Sequence, residues 1–299
     1  MASPIISFKN VTKRYGSARG ITDVTLDIQG GEVFGFLGPN GAGKSTTINM
    51  LIDLTRPSAG QINIFGLSSV RDSLAIRKNV GFLTGDMALD LNLTGLQQLT
   101  YFANLRGELP IKRIEELAAL LDLNLHRKIK TLSRGNRQKV GLISALMHDP
   151  DLLILDEPTT GLDPLVQAEF NKIVLDNKKR GKTTFLSSHL LSEVQEICDN
   201  VAFIREGKII GIQVMADIAA GSPKRVSVTS SDTTLISPLK TLPGAKILQS
   251  SQNQINLTFS GDINELLSLL AKHKVSDVTI TDADLETIFM QYYQETSHV

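Results

Sequence analysis

The sequence predicts an α/β fold with a mainly parallel sheet, an antiparallel β subdomain and a helical insert, followed by a small C-terminal α+β domain. Short apolar runs bounded by Gly, Asn or Asp indicate buried strands. From about Leu152 these strands alternate with helical patterns, which is typical of a parallel sheet covered on both faces. Beyond Glu206 and Gly207 the composition changes to Ser, Thr, Asp and Gln. At 299 residues the chain has room for one large and one small domain.

The elements of the large domain follow from the spacing of apolar residues. In the first third, that spacing predicts strands at Ile5–Phe8, Val24–Ile28, Val33–Leu37, Gln61–Phe65 and Val80–Leu83. The period then lengthens, and we expect a helical insert over residues 86–147, with helices that begin after Thr94 and at Pro110. The pattern next predicts a strand at Leu152–Leu155, a helix at Pro164–Lys179, a strand at Thr183–Leu186, and a hairpin of Val201–Ile204 and Ile209–Ile212.

A domain boundary is expected within Met215–Pro223, so that residues 1–215 form the large domain and residues 224–299 the small one. In the small domain we expect strands at Val226–Val228, Ile255–Phe259 and Val278–Ile280, and a helix that begins at Ile263. A last helix carries Leu285, Ile288, Phe289 and Tyr292 on one face. That face packs either on its own sheet or on a second copy of the chain.

Charge and composition exclude several classes of protein. The 31 basic and 31 acidic residues cancel, so no net field draws the chain onto nucleic acid, and we expect no nucleic-acid partner. The single cysteine, Cys198, cannot form an internal disulfide and is expected to be a small buried apolar residue in a helix. No apolar stretch approaches the roughly 18 residues of a membrane span, and the N-terminus lacks a signal-peptide pattern. We therefore expect a cytoplasmic protein.

Residues Gly38–Thr46 match the phosphate-binding pattern G-x-x-x-x-G-K-[ST] between an apolar strand and a helix. Its glycines let the backbone curl so that successive N–H groups surround phosphates. Lys44 would reach the β- and γ-phosphates, and the Ser45 hydroxyl would ligate Mg²⁺. The alternative, a glycine-rich turn without a ligand, does not account for the flanking strand and helix. The predicted nucleotide-binding residues of the loop are Gly38, Asn40, Gly41, Gly43, Lys44, Ser45 and Thr46.

A second apolar strand delivers two carboxylates, Asp156 and Glu157, to its C-terminal edge, where ligands of open α/β sheets bind. We expect Asp156 to hold Mg²⁺ through water and Glu157 to be the general base for an attacking water. Such a pair alone also occurs at turns and helix starts. Its position downstream of the phosphate-binding loop favours a nucleotide site, and the two motifs together predict a P-loop NTPase.

With these motifs the chain resembles the ATP-binding cassette (ABC) family of transporter ATPases over about residues 5–215. The family signature L-S-G-G-Q appears as Leu132-Ser133-Arg134-Gly135-Asn136. Ser133 is a good helix N-cap, and a helix start presents N–H donors and a positive dipole to an anion. On its own, this segment indicates only a capped helix start. The resemblance implies that Ser133, Arg134, Gly135 and Asn136 contact a nucleotide held by a partner subunit, so that a dimer encloses two ATP molecules.

Three further residues have roles that the resemblance implies. Asp163, in Gly161-Leu162-Asp163, corresponds to the loop that carries signals across the dimer. His189 corresponds to the histidine that contacts the γ-phosphate and the attacking water, although a lone histidine is more often structural. Tyr15 corresponds to the aromatic residue that stacks on adenine, and a tyrosine without a ligand is the alternative.

The chain departs from the family pattern at three positions. Gly85 stands where the family has a glutamine that contacts Mg²⁺ and the membrane partner, so either Asp86 or a water takes its place. Arg134 and Asn136 replace a glycine and the glutamine of the signature. Arg134 either adds a charge contact to the partner's nucleotide or is an exposed arginine at a helix start.

The resemblance implies an exporter subunit from the drug, sodium and antibiotic efflux branch, in which a separate membrane-spanning permease forms the path. We expect a homodimer of ATPase subunits, with ATP and Mg²⁺ as cofactors, at the cytoplasmic face of the cell membrane. The permease would dock on residues 85–106. A different second ATPase subunit is also possible. Two other classes stay open: a soluble ATP-dependent factor acting on ribosomes or DNA, and a nucleotide-dependent regulatory module that hardly hydrolyses ATP.

Overall fold

A computed structural model describes residues 3–16, 18–85, 87–217, 224–251 and 253–282. Asp86 and the predicted last helix with Leu285, Ile288, Phe289 and Tyr292 lie outside these ranges. The chain divides into two compact units, which meet in sequence between Gln213 and Val214. Each unit is described by itself.

The strands and helices alternate along most of the chain. The strands are β1 (Ile6–Tyr15), β2 (Ala18–Ile28), β3 (Val33–Leu37), β4 (Ala59–Ile64), β5 (Leu67–Ser68), β6 (Val80–Leu83), β7 (Leu152–Asp156), β8 (Thr183–Ser188), β9 (Asn200–Arg205), β10 (Lys208–Val214), β11 (Lys224–Ser230), β12 (Ala245–Ser250), β13 (Gln254–Phe259) and β14 (Val275–Asp282). The α-helices are α1 (Lys44–Leu51), α2 (Ser73–Lys78), α3 (Gly95–Arg106), α4 (Ile111–Leu120), α5 (Arg134–Leu146), α6 (Pro164–Lys179), α7 (Leu191–Ile197), α8 (Ile236–Thr241) and α9 (Ile263–Leu270).

An antiparallel sheet contains β2, β1, β4 and β5 in that order. β1 pairs with β2 on one side and with β4 on the other, and both pairs are antiparallel. Phe8 and Ile62 from this sheet share a buried apolar cluster with Phe34 and Phe36 of β3. Burial of these side chains, at about 25 cal/mol per Å² of apolar surface, is what joins the two sheets of the first unit. The predicted antiparallel subdomain is confirmed.

A second sheet has the strand order β10-β9-β3-β8-β7-β6. β3 runs parallel to β8 and β9, and β7 runs parallel to β8 and β6, which confirms the mainly parallel sheet. The register places Leu37 beside Ser188 and Asp156 beside Ser187. Because the carboxyl ends of parallel strands meet at one edge, the segments that follow β3, β7 and β8 converge there.

α3, the first helix of the insert, begins directly after Thr94, as the sequence predicts. Thr94 accepts a hydrogen bond from the Gln97 N–H at 3.2 Å, and the Gln97 side chain accepts one from the Thr94 N–H at 2.9 Å. These two bonds form a capping box that fixes the start of α3. α4 follows directly after Pro110, and Ile114 and Leu117 form its fully buried stripe.

Cys198 is buried against the parallel sheet, as predicted. It lies one position after the end of α7 rather than within a helix, because α7 ends at Ile197. A Cβ atom added to Gly35 of β3 would be 3.1 Å from its Sγ. Burial raises the pKa of the Cys198 thiol, so this side chain packs as a small apolar residue.

The second unit has the chain order β-α-β-β-α-β and the strand order β12-β13-β11-β14, a ferredoxin-like arrangement. Val226 and Val228 of β11 share a core with Leu257 and Phe259 of β13. The residues between them are polar and lie on the opposite face. The sequence does not predict β12, because this edge strand is mostly exposed and lacks a continuous apolar face. The small α+β domain is confirmed as a fold.

Candidate functional site

The phosphate-binding loop joins β3 to α1. Gly43, the N-cap of α1, has a φ of 110°, and Gly41 has a φ of 81°. Such angles are strained for any residue with a Cβ atom. At Gly38 the constraint is space, because a Cβ atom would lie 2.3 Å from the carbonyl oxygen of Ile204. The spacing of these glycines is therefore required by the backbone of the loop.

Lys44 is the first residue of α1, and only 6% of its surface is exposed. Its Nζ donates hydrogen bonds to the carbonyl oxygens of Gly38 at 2.6 Å and Pro39 at 3.3 Å. The same Nζ lies 3.1 Å from Oε1 of Glu157, an ion-pair contact that lacks hydrogen-bond geometry. The ammonium group thus lies between its own loop and a carboxylate that follows β7.

Asp156 is buried at the end of β7. Its Oδ1 accepts a hydrogen bond from Oγ of Ser187 at 2.5 Å, and Oγ of Ser187 in turn accepts one from the Glu157 N–H at 3.1 Å. The other oxygen, Oδ2, faces Gly85, where an added Cβ atom would be 3.5 Å away. Ser187, which the sequence did not assign to the site, therefore orients both acidic residues.

Glu157 connects two strand ends. Its φ of 51° lies in the left-handed region, which is strained for a residue with a side chain and is common at functional sites. Its Oε2 lies 2.6 Å from Nδ1 of His189, which follows β8. Glu157 therefore contacts both Lys44 and His189, although the three residues follow three different strands.

These groups face a cavity of about 470 Å³, with walls contributed by Gly20, Pro39, Asn40, Gly41, Gly43, Lys44, Ser45, Thr46, Gly85, Arg134, Asp156, Glu157, Thr160 and His189. Most of the site residues predicted from the sequence therefore lie together. The carbonyl oxygen of Gly38 accepts a hydrogen bond from Nζ of Lys44. The predicted residues that do not line the cavity are Gly38, Tyr15, Ser133, Gly135, Asn136 and Asp163.

Tyr15 lies at the end of β1 and is 43% exposed. The Nζ of Lys13 lies 5.0 Å from the centroid of its ring, a cation–π contact. The ring is therefore accessible beside a positive charge, but it is not part of the cavity wall. Stacking of Tyr15 on adenine stays a prediction.

The signature residues form the start of α5. Oγ of Ser133 accepts a hydrogen bond from the Asn136 N–H at 3.2 Å, which confirms the predicted N-cap. Gly135 packs against the loop after β7, since a Cβ atom there would be 2.2 Å from the carbonyl oxygen of Gly161. Asp163 caps α6 by accepting a backbone hydrogen bond at 3.1 Å. Contacts of these residues with a partner's nucleotide stay a prediction.

Two residues that sequence reasoning missed hold the loop after β7. Nε2 of Gln138 donates to the carbonyl oxygens of Glu157 and the following residue at 3.2 and 3.1 Å. Glu193 of α7 accepts from Oγ1 of Thr159 at 2.5 Å and from Oγ of Ser188 at 2.6 Å. Gln138 lies close in sequence to the signature, and Glu193 lies close to His189. This nearness is the only local signal that could have pointed to them.

The chemistry of the cavity fits a magnesium-bound triphosphate. Loop N–H groups and Lys44 supply positive charge for phosphates. The Ser45 hydroxyl and the Asp156 carboxylate supply the oxygen ligands that Mg²⁺ prefers, and Mg²⁺ takes few protein ligands because it keeps waters and binds phosphate oxygens. The residues that the structure describes contain no cluster of three or more His, Cys, Asp or Glu side chains suited to a metal. The buried Oε1 of Glu157 lacks a hydrogen-bond partner and can accept one from a water.

Residues 21–160 match the family model described as ABC transporter. The chain is 40% identical over 219 residues to YhcH, an uncharacterized ABC transporter ATP-binding protein of Bacillus subtilis (strain 168), and the match covers 71% of each chain. This chain belongs to the ABC transporter ATP-binding proteins. The ABC protein is also 38% identical over 211 residues to the bacitracin transport ATP-binding protein BcrA of Bacillus licheniformis, covering 70% of this chain and 69% of the relative.

Its fold matches a solved ABC cassette. The dimeric structure of MJ0796, a bacterial ABC transporter cassette, agrees with a TM-score of 0.65 at 25% identity, over 70% of this chain and 98% of that chain. The P-loop NTPase fold and the ATPase assignment are confirmed, and this ABC protein is an ATP-binding, ATP-hydrolysing subunit of a transporter. Throughout the described ranges, every helix is too short or too polar to cross a membrane.

Proposed function

We propose that two copies of this ABC protein close around two Mg-ATP molecules and drive export through a separate membrane-spanning permease. The observation that carries the proposal is the convergence of Lys44, Asp156, Glu157 and His189 on one cavity beside the phosphate-binding loop. Hydrolysis of a nucleotide needs three things at one place: groups that bind the phosphates, ligands for a metal ion, and a base that accepts a proton from water. The residues proposed for these three roles lie at adjoining strand ends.

The residues of the cavity have separate roles in the reaction. The phosphate-binding loop and Lys44 bind the phosphates, and Ser45 and Asp156, the latter through water, are the groups that would hold Mg²⁺. When bound, Mg²⁺ would neutralise negative charge on the phosphates. Glu157 orients the attacking water and accepts its proton while the water oxygen bonds to the γ-phosphorus. The bond from that phosphorus to the bridging oxygen breaks, and ADP leaves with the electron pair.

His189 orients the base. Its Nδ1 contacts Oε2 of Glu157 at 2.6 Å, so the imidazole fixes the direction of that carboxylate. We expect the other edge of the ring to contact the γ-phosphate. Oε1 of Glu157 contacts Lys44 at 3.1 Å. Phosphate oxygens bind Lys44 more strongly than one carboxylate does, because they offer several charged acceptors, and this exchange frees Oε1 for water.

The dimer is proposed to place the start of α5 on the partner's nucleotide. Ser133, Gly135 and Asn136 lie outside the cavity of their own chain, and the capped helix start offers N–H donors toward an anion. Asp163, at the start of α6, adjoins the same loop and is placed to pass a signal across the interface. The solved structure of MJ0796, a bacterial ABC transporter cassette, is dimeric, which supports a dimer of this chain.

Export and docking of the permease rest on relatives and on an exposed surface. BcrA is a bacitracin transport protein, which favours an antibiotic or another drug-like cargo. On α3, Tyr101 is 54% and Leu105 71% exposed, one helical turn apart within residues 85–106. A short cytosolic helix of the permease would bind this apolar stripe and hold the ATPase at the cytoplasmic face of the membrane.

The test is phosphate release by the purified chain with and without Mg²⁺, compared with Glu157→Gln. We expect Mg²⁺-dependent hydrolysis in the wild type and at least about 100-fold less in the variant, the usual contribution of a general base. Gel filtration with ATP should show a dimer of Glu157→Gln, because the enclosed ATP is not hydrolysed. Activity of the wild type no higher than that of the variant would support a regulatory module instead, a function that the missing side chain at Gly85 favours.

Copurification tests the transport partner. A tagged wild-type chain, extracted from its native cells with detergent, is expected to retain a membrane-spanning protein. The double variant Tyr101→Ser/Leu105→Ser should lose that protein while it keeps its ATPase activity, because both side chains are exposed and lie away from the cavity. Retention of the membrane protein by the variant would place the docking surface elsewhere.

A further inference from the structure

Glu193 of α7 joins the two segments that carry the proposed base and the histidine beside it. Its Oε1 accepts a hydrogen bond from Oγ1 of Thr159 at 2.5 Å, and its Oε2 accepts one from Oγ of Ser188 at 2.6 Å. Thr159 follows Glu157 by two positions in the loop after β7. Ser188 ends β8, directly before His189. One carboxylate therefore holds the chain on both sides of the contact between Glu157 and His189.

The hydrogen bond to Ser188 fixes the turn at His189. Oγ of Ser188 also accepts a hydrogen bond from the Leu190 N–H at 2.9 Å, so this oxygen bridges the residues before and after His189. Ser188 is fully buried, and its hydroxyl group needs an acceptor inside the protein, which Glu193 supplies. The direction of the His189 side chain follows from the backbone of this turn. A shift of Ser188 would therefore move Nδ1 of His189 away from Glu157.

The position requires a carboxylate rather than another polar side chain. A third donor, Nε2 of Gln167 on α6, lies 3.3 Å from Oε1 of Glu193. All three donors are neutral, and a carboxylate accepts from several such donors at once through charge-assisted bonds. Glu193 also lies in the first turn of α7, where the helix dipole favours a negative charge. Glu193→Gln would leave one acceptor oxygen for hydroxyl groups that lie on two sides.

We infer that Glu193 is a positioning residue for ATP hydrolysis and that it acts through His189. It holds the turn that carries His189 beside the loop that carries Glu157, so that the imidazole contacts the base and keeps it aligned with the attacking water. The inference rests on the proposed roles of His189 and Glu157. Glu193 does not line the cavity, so its loss should lower the rate of hydrolysis and leave the affinity for nucleotide unchanged.

The first experiment measures kcat and KM for Mg-ATP hydrolysis by the full-length chain, and the Kd for Mg-ATP by calorimetry. We expect Glu193→Gln to lower kcat about 10-fold, because small displacements of a catalytic group are costly, and to leave KM and Kd within about two-fold of the wild type. Glu193→Asp keeps both oxygens on a shorter side chain and should recover part of kcat. Glu196→Gln, the matched control, removes the same charge from an exposed position of α7 and should change nothing. An unchanged kcat in Glu193→Gln would overturn the inference.

A double variant separates action through His189 from a general loss of stability. Residues that act as one unit have non-additive effects, so Glu193→Gln should lower kcat no further when it is added to His189→Ala. A second fall as large as that of the single variant would show that Glu193 acts independently of His189.

An NMR measurement tests the same contact without relying on activity. The imidazole signal of His189, assigned with His189→Gln, should shift in Glu193→Gln without nucleotide and stay in place in Glu196→Gln. An unshifted signal in Glu193→Gln would contradict the positioning role. A wild type without Mg²⁺-dependent hydrolysis would overturn the proposed function itself, and the position of the His189 signal would still decide whether Glu193 orients that ring.

Discussion

The Nζ atom of Lys44 lies 3.1 Å from Oε1 of Glu157, so the lysine of the phosphate-binding loop and the predicted base contact each other. Both side chains are largely buried, with 6% and 19% of their surfaces exposed. Oε2 of the same carboxylate is held by His189 at 2.6 Å. We expect phosphates that bind Lys44 to compete with this carboxylate.

Lys44→Ala should remove nucleotide binding. Among the described residues, Lys44 carries the one side-chain ammonium that lines the cavity, and charged hydrogen bonds from Nζ to phosphate contribute about 1.5–3 kcal/mol each. We expect the Kd for Mg-ATP, measured by calorimetry, to rise on the order of 100-fold. Lys78→Ala, on the exposed side of α2, is the control. An unchanged affinity in Lys44→Ala would refute the assignment of the loop.

Glu157→Gln should tighten the binding of ADP by the monomer even though it blocks hydrolysis. The substitution removes the ion-pair partner of Lys44 in the free protein, while in the bound state phosphates already occupy Lys44. A loss of about 1 kcal/mol in the free state corresponds to a Kd roughly 5-fold lower. Glu196→Gln removes the same charge from the exposed face of α7 and should have no effect. Equal or weaker ADP binding by Glu157→Gln would show that the ion pair does not compete with phosphate.

Gly135→Ala should destabilise the first unit. The new Cβ atom would lie 2.2 Å from the carbonyl oxygen of Gly161, and backbone cannot rotate away as a side chain can. Overpacking of this kind costs about 1–3 kcal/mol and exceeds the gain in helix propensity of about 1 kcal/mol. Denaturant unfolding measures the change. Gly211→Ala is the matched control, since no atom lies within 4 Å of its Cβ position, and equal stability of the two variants would contradict the close contact.

His148 makes the stability of the first unit depend on pH. Burial, together with the nearby charge of Arg106, lowers the pKa of His148 to about 4, against the opposing effect of the hydrogen bond to the Val80 carbonyl. Nδ1 is buried without a hydrogen-bond partner, and Nε2 lies 3.2 Å from the Val80 carbonyl oxygen, which fits a neutral ring that donates there.

The sign follows from the lowered pKa. Between about pH 6.5 and pH 4 the unfolded chain binds a proton at this site and the folded chain does not, so folding stability is full above pH 6.5 and falls toward pH 4. After allowance for solvent screening of this partly buried ring, the loss is on the order of 2 kcal/mol. His148→Gln keeps a donor for Val80 and does not titrate, so the difference in unfolding free energy between wild type and variant should change over this window. A difference independent of pH would contradict the assigned titration.

Local patterns predicted much of the fold. β3, β6 and α6 have the bounds that apolar runs and a proline at the first helical position indicate. α2 and β12 were missed because both are short and mostly exposed, so their residues carry no apolar period. At the site, the loop glycines, Lys44 and the acidic pair were predictable because each motif is contiguous in sequence.

The sequence by itself determined the chemistry of this protein: a loop that must bind phosphate, two carboxylates after an apolar strand, and a helix start able to face an anion. Only the tertiary structure decided which groups meet. Ser187 orients Asp156, Gln138 holds the backbone of Glu157, and Arg134 lines its own chain's cavity. Such contacts join segments far apart in the chain, and they depend on strand order and register, which the period of one segment does not encode.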